Sequence, residues 1–143
     1  MSNYDNNPKF VYAIQHNKTH RIYIGSTLNV SDRYYNHILK LRKGEHQSQE
    51  MQEDYDAYGE DYSVYVLEKV ENPDKSEQSE YGEYRLTNIR EAEYKWMEKY
   101  NTIIDGYNTQ DWHAKKYINK EYKRLFPLKE GLPEPLTGSE SSN

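Results

Sequence analysis

The sequence has no cysteine among its 143 residues. That excludes disulfides, thiolate zinc sites and a cysteine nucleophile, and it accords with a reducing compartment. Phenylalanine is scarce, at two residues, and apolar residues make up only 34% of the chain. No apolar run approaches the length of a membrane-spanning helix. The polar opening Met1-Ser2-Asn3-Tyr4-Asp5-Asn6-Asn7 lacks the basic-then-apolar layout of a signal peptide. The expectation is a soluble cytoplasmic protein with no membrane partner. Three familiar chemistries are also missing. There is no Gly-rich phosphate loop, no zinc spacing such as His-Glu-x-x-His among the five histidines, and no serine in a nucleophile-elbow context.

What the chain does have is tyrosine, sixteen in all. The ring is a large apolar body with a polar tip, so most of these residues are expected to build a core of half-buried rings. Stacking on nucleic-acid bases is the functional alternative. At this length one domain is expected. The net charge of −5 argues against a protein that coats nucleic acid over its whole surface. The charge is unevenly placed, however: +4 over residues 1–46, −9 over 47–100 and zero over 101–143. A polyanion would meet the N-terminal third, helped by the basic run from Lys115-Lys116 to Arg124. The acidic middle would face away or supply metal ligands.

Periodicity divides the chain. Residues 1–8 read as a disordered tail. Lys9 to Gln15 and Arg21 to Gly25 are rich in β-branched and aromatic residues, and the polar turn between them predicts an antiparallel hairpin. Tyr12 and Tyr23 would then lie near each other. A helix is expected over 31–43, capped by Asn29 or Ser31 and ended by Lys43-Gly44. Arg33 and His37, four apart, share one of its faces. A second helix is expected over 48–58 and a third strand over Tyr62 to Val70. Residues 71–87 read as an acidic loop. Asn88 to Tyr100 reads as a helix capped by Asn88, and Asp105-Gly106 marks a turn. A short basic helical extension is expected over 111–126, and a disordered tail over 127–143. The order β-β-α-α-β-α implies an α+β fold, a small three-stranded antiparallel sheet flanked by helices.

The residues singled out by this layout suit phosphodiester hydrolysis. Phenols can orient or deprotonate water, a guanidinium can hold phosphate, and a carboxylate can hold a hard cation. Each has a plainer reading. Tyr12 and Tyr23 can be core residues with satisfied hydroxyls. Arg33 can pair with Asp32 or Glu93, and His37 can be an ordinary helix-face histidine. Glu93 can be a solvated helix carboxylate, and Asn108 can hold the turn after Gly106.

Taken together, the pieces resemble the GIY-YIG nuclease family over about residues 9–110. Phe10-Val11-Tyr12 stands where the family has Gly-Ile-Tyr, and Tyr23-Ile24-Gly25 is an intact second half. Arg33 and His37 match the family's helix motif. Lys43-Gly44-Glu45-His46 followed by Tyr58-Gly59 resembles phage intron homing endonucleases. Glu93-Tyr94-Lys95-Trp96 and Gly106-Tyr107-Asn108 match the metal-binding glutamate and the downstream asparagine. Phe10 replaces the first glycine, which removes no reacting group. The resemblance implies a Mg²⁺- or Mn²⁺-dependent DNA endonuclease or nickase that leaves 5′-phosphate and 3′-hydroxyl ends. It implies Tyr12, Tyr23, Arg33, His37 and Glu93 as catalytic residues, with Glu93 the metal ligand. Gly25, His46 and Asn108 would support the site or bind substrate. Asn108 would steady the metal's surroundings or the first strand. One site cuts one strand, so double-strand cleavage would call for a dimer or sequential nicking. Two rival readings are a nucleic-acid-binding module of the same fold without turnover, and a protein-interaction domain with no salt-dependent DNA affinity.

Overall fold

The structure, a computed structural model, describes residues 7–76 and 87–108. Three strands form one antiparallel sheet: β1 (Lys9–His16), β2 (Ile22–Thr27) and β3 (Tyr62–Val70), in the order β2-β1-β3. Helices α1 (Val30–Arg42) and α2 (Gln49–Tyr58) lie between β2 and β3 in the chain. Helices α3 (Asn88–Tyr100) and the single-turn α4 (Thr102–Asp105) follow. The α+β layout expected from the sequence is the one observed. Residues 1–6 of the expected tail 1–8 lie outside the described residues, as do the expected segments 111–126 and 127–143 and most of the acidic stretch 71–87. The part of that stretch that is described is anchored at its base. Ser76 bridges Thr87, and the Ile89 N–H donates to the Pro73 carbonyl.

β1 is the central strand, and its alternating side chains serve two cores. Val11 and Ala13 pack with Ile22, Ile24, Tyr65 and the apolar stripe of α3. Tyr12 and Ile14 pack on the opposite face with Val30, Ile38 and Leu41 of α1, Met51 of α2 and Tyr107. Burial on both faces explains why β1 reads as an almost unbroken apolar run. The β1–β3 register shifts between Val11 and Tyr12, which oppose Glu68 and Val66. A bulge of this kind sharpens the local twist and re-aims neighbouring side chains.

The helix starts follow capping chemistry. Asn29 accepts from the Asp32 N–H at 3.0 Å, and Ser48 accepts from the Met51 N–H at 3.3 Å. The cap of α3 is Thr87, which accepts from the Arg90 N–H, and not Asn88 as the sequence suggested. Both types cap well. Asn88 is the first helical residue and instead donates from its side chain to the Asn72 carbonyl. Gly44 and Gly59 follow α1 and α2 at φ of 73° and 89°, the left-handed region that favours glycine.

Candidate active site

The two hairpin tyrosines meet on one face of the sheet. Tyr12 pairs across the strands with Gly25, and Tyr23 pairs with Ile14. The phenols are therefore diagonal neighbours, with ring centroids 6.2 Å apart. They line a cleft of about 290 Å³ together with Arg33, Arg90 and Glu93. Ser26, His46 and Asn108 also reach it. His37 stands behind the phenols, with Nε2 2.9 Å from the Tyr12 hydroxyl. Of the residues picked from the sequence, all eight thus fall in or directly against one cleft.

A chain of hydrogen bonds runs back from Tyr12, and its direction can be deduced. The Ser48 main-chain N–H donates to His46 Nδ1 at 3.0 Å. A main-chain N–H can only donate, so this nitrogen carries no proton. Burial, with Lys40 adding repulsion, lowers the His46 pKa to about 4, so the ring is neutral near pH 7 and its proton is on Nε2. That N–H points at His37 Nδ1, 2.7 Å away. Burial above all, and then His46, Arg33 and Lys40, lowers the His37 pKa to about 3. His37 is therefore neutral as well, protonated on Nε2, and it donates to the Tyr12 hydroxyl. The imidazole supports a negative charge on Tyr12 rather than waiting to remove its proton.

The phenols are held in their neutral form. Burial pushes the Tyr12 pKa well up, and nearby Tyr23 and Glu93 raise it further, while Arg33 opposes them. Tyr23 is raised too, by burial first and then by Glu93, with Arg33 and Arg90 pulling the other way. Arg33 is exposed at the start of α1 and, among the described residues, makes no ion pair with Asp32 or Glu93.

Glu93 is buried, only 6% exposed, so the reading of it as a solvated helix carboxylate fails. Arg90, one turn earlier on α3, donates from Nη1 to Oε1 at 2.6 Å, and the Ser26 hydroxyl donates to Oε2. Arg90 also donates to the Tyr94 hydroxyl at 2.7 Å. Among the described residues no cluster of three or more His, Asp or Glu is poised to hold a metal. The four nitrogens of His37 and His46 are all engaged with Tyr12, with each other and with Ser48. The side-chain atoms left to meet a cation in the cleft are thus oxygens, from Glu93, Ser26 and the two phenols. One carboxylate with hard oxygen neighbours fits Mg²⁺ or Mn²⁺, which keep several waters and need few protein ligands.

Asn108 has a definite structural task. Its Oδ1 accepts from the Ile24 N–H at 2.8 Å and its Nδ2 donates to the Ile24 carbonyl at 3.0 Å. The clasped strand is β2, where the sequence reading offered the metal's surroundings or the first strand. Gly25 is where the phenol and the strand come closest, since a Cβ there would stand 2.6 Å from the Tyr12 hydroxyl oxygen.

Sequence reasoning passed over four contributors. Arg90 carried a readable signal, three residues before Glu93 on the same helix. Ser26 had only its place after the glycine. Ser48 had its place at the start of α2, two residues after His46, and Asp54 had none, because Tyr107 and Thr19 lie far along the chain. Asp54 Oδ2 accepts from Tyr107 at 2.6 Å and from Thr19 at 2.9 Å, and Arg21 stands 3.6 Å from Oδ1. That node ties α2 to the hairpin and to the segment that carries Asn108.

The GIY-YIG catalytic-domain family model matches residues 8–108. Intron-associated endonuclease 1 of Enterobacteria phage T4 is 27% identical over 101 residues, which is 71% of this chain and 36% of that protein. The chain therefore spans about a third of that relative's length. Two solved structures of the catalytic domain of the intron endonuclease I-TevI share the fold. A point mutant superposes with a TM-score of 0.59 at 24% identity, covering 71% of this chain and 93% of that one. The second gives 0.58 at 23%, covering 69% and 95%. With the motif order, the sheet topology and the match over most of its length in agreement, the chain belongs to the GIY-YIG family.

Proposed function

We propose that this protein is a Mg²⁺- or Mn²⁺-dependent DNA endonuclease that hydrolyses one phosphodiester at a time. The observation that carries the reading is the convergence of Tyr12, Tyr23, Arg33 and Glu93 on one cleft, with His37 hydrogen-bonded behind Tyr12. The T4 relative's description as an intron-associated endonuclease supports the same class of reaction.

A divalent cation on Glu93 would supply positive charge to the scissile phosphate and to the leaving 3′ oxygen. Arg33, exposed at the rim of the cleft, is placed to grip a non-bridging oxygen and offset the charge that builds on phosphorus. Tyr12 orients the attacking water. To take that water's proton it must first give its own up to solvent, since His37 is itself a donor to it, and burial opposes that loss. The positive charge of Arg33 lowers that cost, and the His37 N–H is aimed at the oxygen that becomes phenolate. Tyr23 stands beside Tyr12, ring centroid to ring centroid 6.2 Å, on the same wall of the cleft. Attack on phosphorus breaks the bond to the 3′ oxygen, which takes a proton from solvent and leaves as a hydroxyl, and the phosphate stays on the 5′ end. A single cleft cuts one strand, and a double-strand break needs a second copy or a second event.

The test uses supercoiled plasmid with Mg²⁺ or Mn²⁺. The unchanged chain is expected to nick it, and ligase is expected to reseal the nick directly. Glu93→Gln and Tyr12→Phe are each expected to slow nicking by at least about a hundredfold. Equal nicking by Glu93→Gln removes the carboxylate from the mechanism. DNA binding without cleavage favours the turnover-free module instead.

A further inference from the structure

A second cavity, of about 330 Å³, opens on the far side of Tyr23 and Arg33. It shares those two residues and Gln47 with the cleft described above, so the two form a continuous surface. Its other wall carries Lys40 and Lys43, near the end of α1, and Glu45 sits on its rim. We propose that this cavity is a second anion site, which holds a backbone phosphate adjoining the one that is cut. The inference rests on the endonuclease reading and specifies how the substrate strand lies.

Three observations carry it. Arg33 and Lys40 are seven residues apart on α1, two turns along the same face. The axial distance is roughly 10 Å, room for more than one phosphate of a strand that advances about 3.4 Å per nucleotide. Next, Arg33, Lys40 and Lys43 are all exposed, and among the described residues none pairs with a carboxylate. Arg42, on the same helix but away from the cavity, is bound by both oxygens of Glu60 at 2.8 and 2.9 Å. Among the described residues the carboxylates thus leave all three cations around the cavity free to meet an anion. Finally, the field of Arg33 and Lys40 is felt at His37, and that of Lys40 at His46, which places these cations close to the relay behind Tyr12.

A plainer explanation accounts for part of the pattern. Lysines near a helix C-terminus complement the helix dipole. That covers Lys40 and Lys43 but not Arg33, which stands at the start of α1, where a cation opposes the dipole. Successive phosphates of one strand, the cut one at Arg33 and its neighbour at Lys40 and Lys43, explain all three. Glu45 is the one acid on the cavity wall and subtracts from its charge.

The test is binding of a fluorescent DNA duplex in EDTA, followed by anisotropy over a salt series. Lys40→Gln/Lys43→Gln is expected to weaken binding several-fold and to reduce the slope of log affinity against log salt by about 1. Glu45→Gln is expected to tighten it. Lys95→Gln, an exposed change on α3 outside both cavities, serves as the control. A second arm replaces the phosphate next to the mapped cut by a neutral methylphosphonate. That change and the double lysine variant are expected to be non-additive. An unchanged slope relative to Lys95→Gln, in a chain that still nicks plasmid, overturns the anion site alone. If the unchanged chain shows no salt-dependent binding and no nicking, both readings fall.

Discussion

At position 25 the strand has room for hydrogen and nothing larger. A Cβ would meet the Tyr12 hydroxyl oxygen at 2.6 Å and the ring carbon that bears it at 2.8 Å. The constraint is contact with a reacting side chain, since the Gly25 backbone shows no positive φ. The sheet explains why. Ser26 and Ile24 turn toward the α3 face, where Glu93 sits, while the phenols turn toward α1. Gly25 is the thin point of the partition, and it lets the two sets of groups share a cleft. Gly25→Ala is expected to displace the Tyr12 ring and to reduce nicking by more than about tenfold, with a loss of stability of roughly 1–3 kcal/mol from overpacking. A rate measured beside a thermal melt checks it. Undiminished nicking would show that Tyr12 need not occupy this position.

Among the elements, α2 contributes no residue to the reaction proposed, yet it organises the histidine relay behind Tyr12 and the segment that carries Asn108. Its cap, Ser48, donates its hydroxyl to the Tyr107 carbonyl at 3.0 Å, and its main-chain N–H fixes the His46 tautomer. Two turns on, Asp54 receives Tyr107 and Thr19. Burial and then the bond to Asp54 hold the Tyr107 pKa high, so the phenol stays a donor. Asp54→Ala is expected to cost about 2–3 kcal/mol, because it leaves the buried Tyr107 hydroxyl short of its acceptor. Tyr107→Phe is expected to cost less. Chemical denaturation of both variants decides it, and equal losses would mean that the pairing is not the source.

Elements were more legible in the sequence than their meetings. β-Branched and aromatic residues marked the strands, and the Asn29 and Gly59 signals bounded α1 and α2. Local preference could not choose between Thr87 and Asn88, since both cap well and tertiary contacts decide. The eight site residues were legible because the family motif keeps their order. Asp54 was not, since it meets Tyr107 at a separation of 53 residues and no local pattern encodes that.

For the molecule as a whole, the paired histidines make stability depend on acidity. Folded, His37 and His46 take up protons only near pH 3 and 4, whereas the ordinary value is 6.5. The unfolded chain therefore binds more protons between those limits. Their contribution is complete above pH 6.5 and is lost as pH falls through 6.5 toward 4. The loss is at most about 1.4 kcal/mol per pH unit for each ring. Thermal melts from pH 7.5 down to about 4 are expected to show a falling midpoint that flattens in His37→Asn/His46→Gln. The same slope in that variant would assign the acid sensitivity to the carboxylates instead.

Asn108 has a consequence beyond holding the site. β2 lies at the margin of the sheet, and a margin exposes unpaired amide and carbonyl groups to any passing chain. The side chain of Asn108 takes both groups of Ile24, and the Tyr107 amide takes the Ile22 carbonyl at 3.0 Å. Two consecutive residues thus stand in for a fourth strand without forming one. An asparagine that reads as part of the catalytic motif is, by its bonds, also what keeps this margin from recruiting a second molecule into a shared sheet.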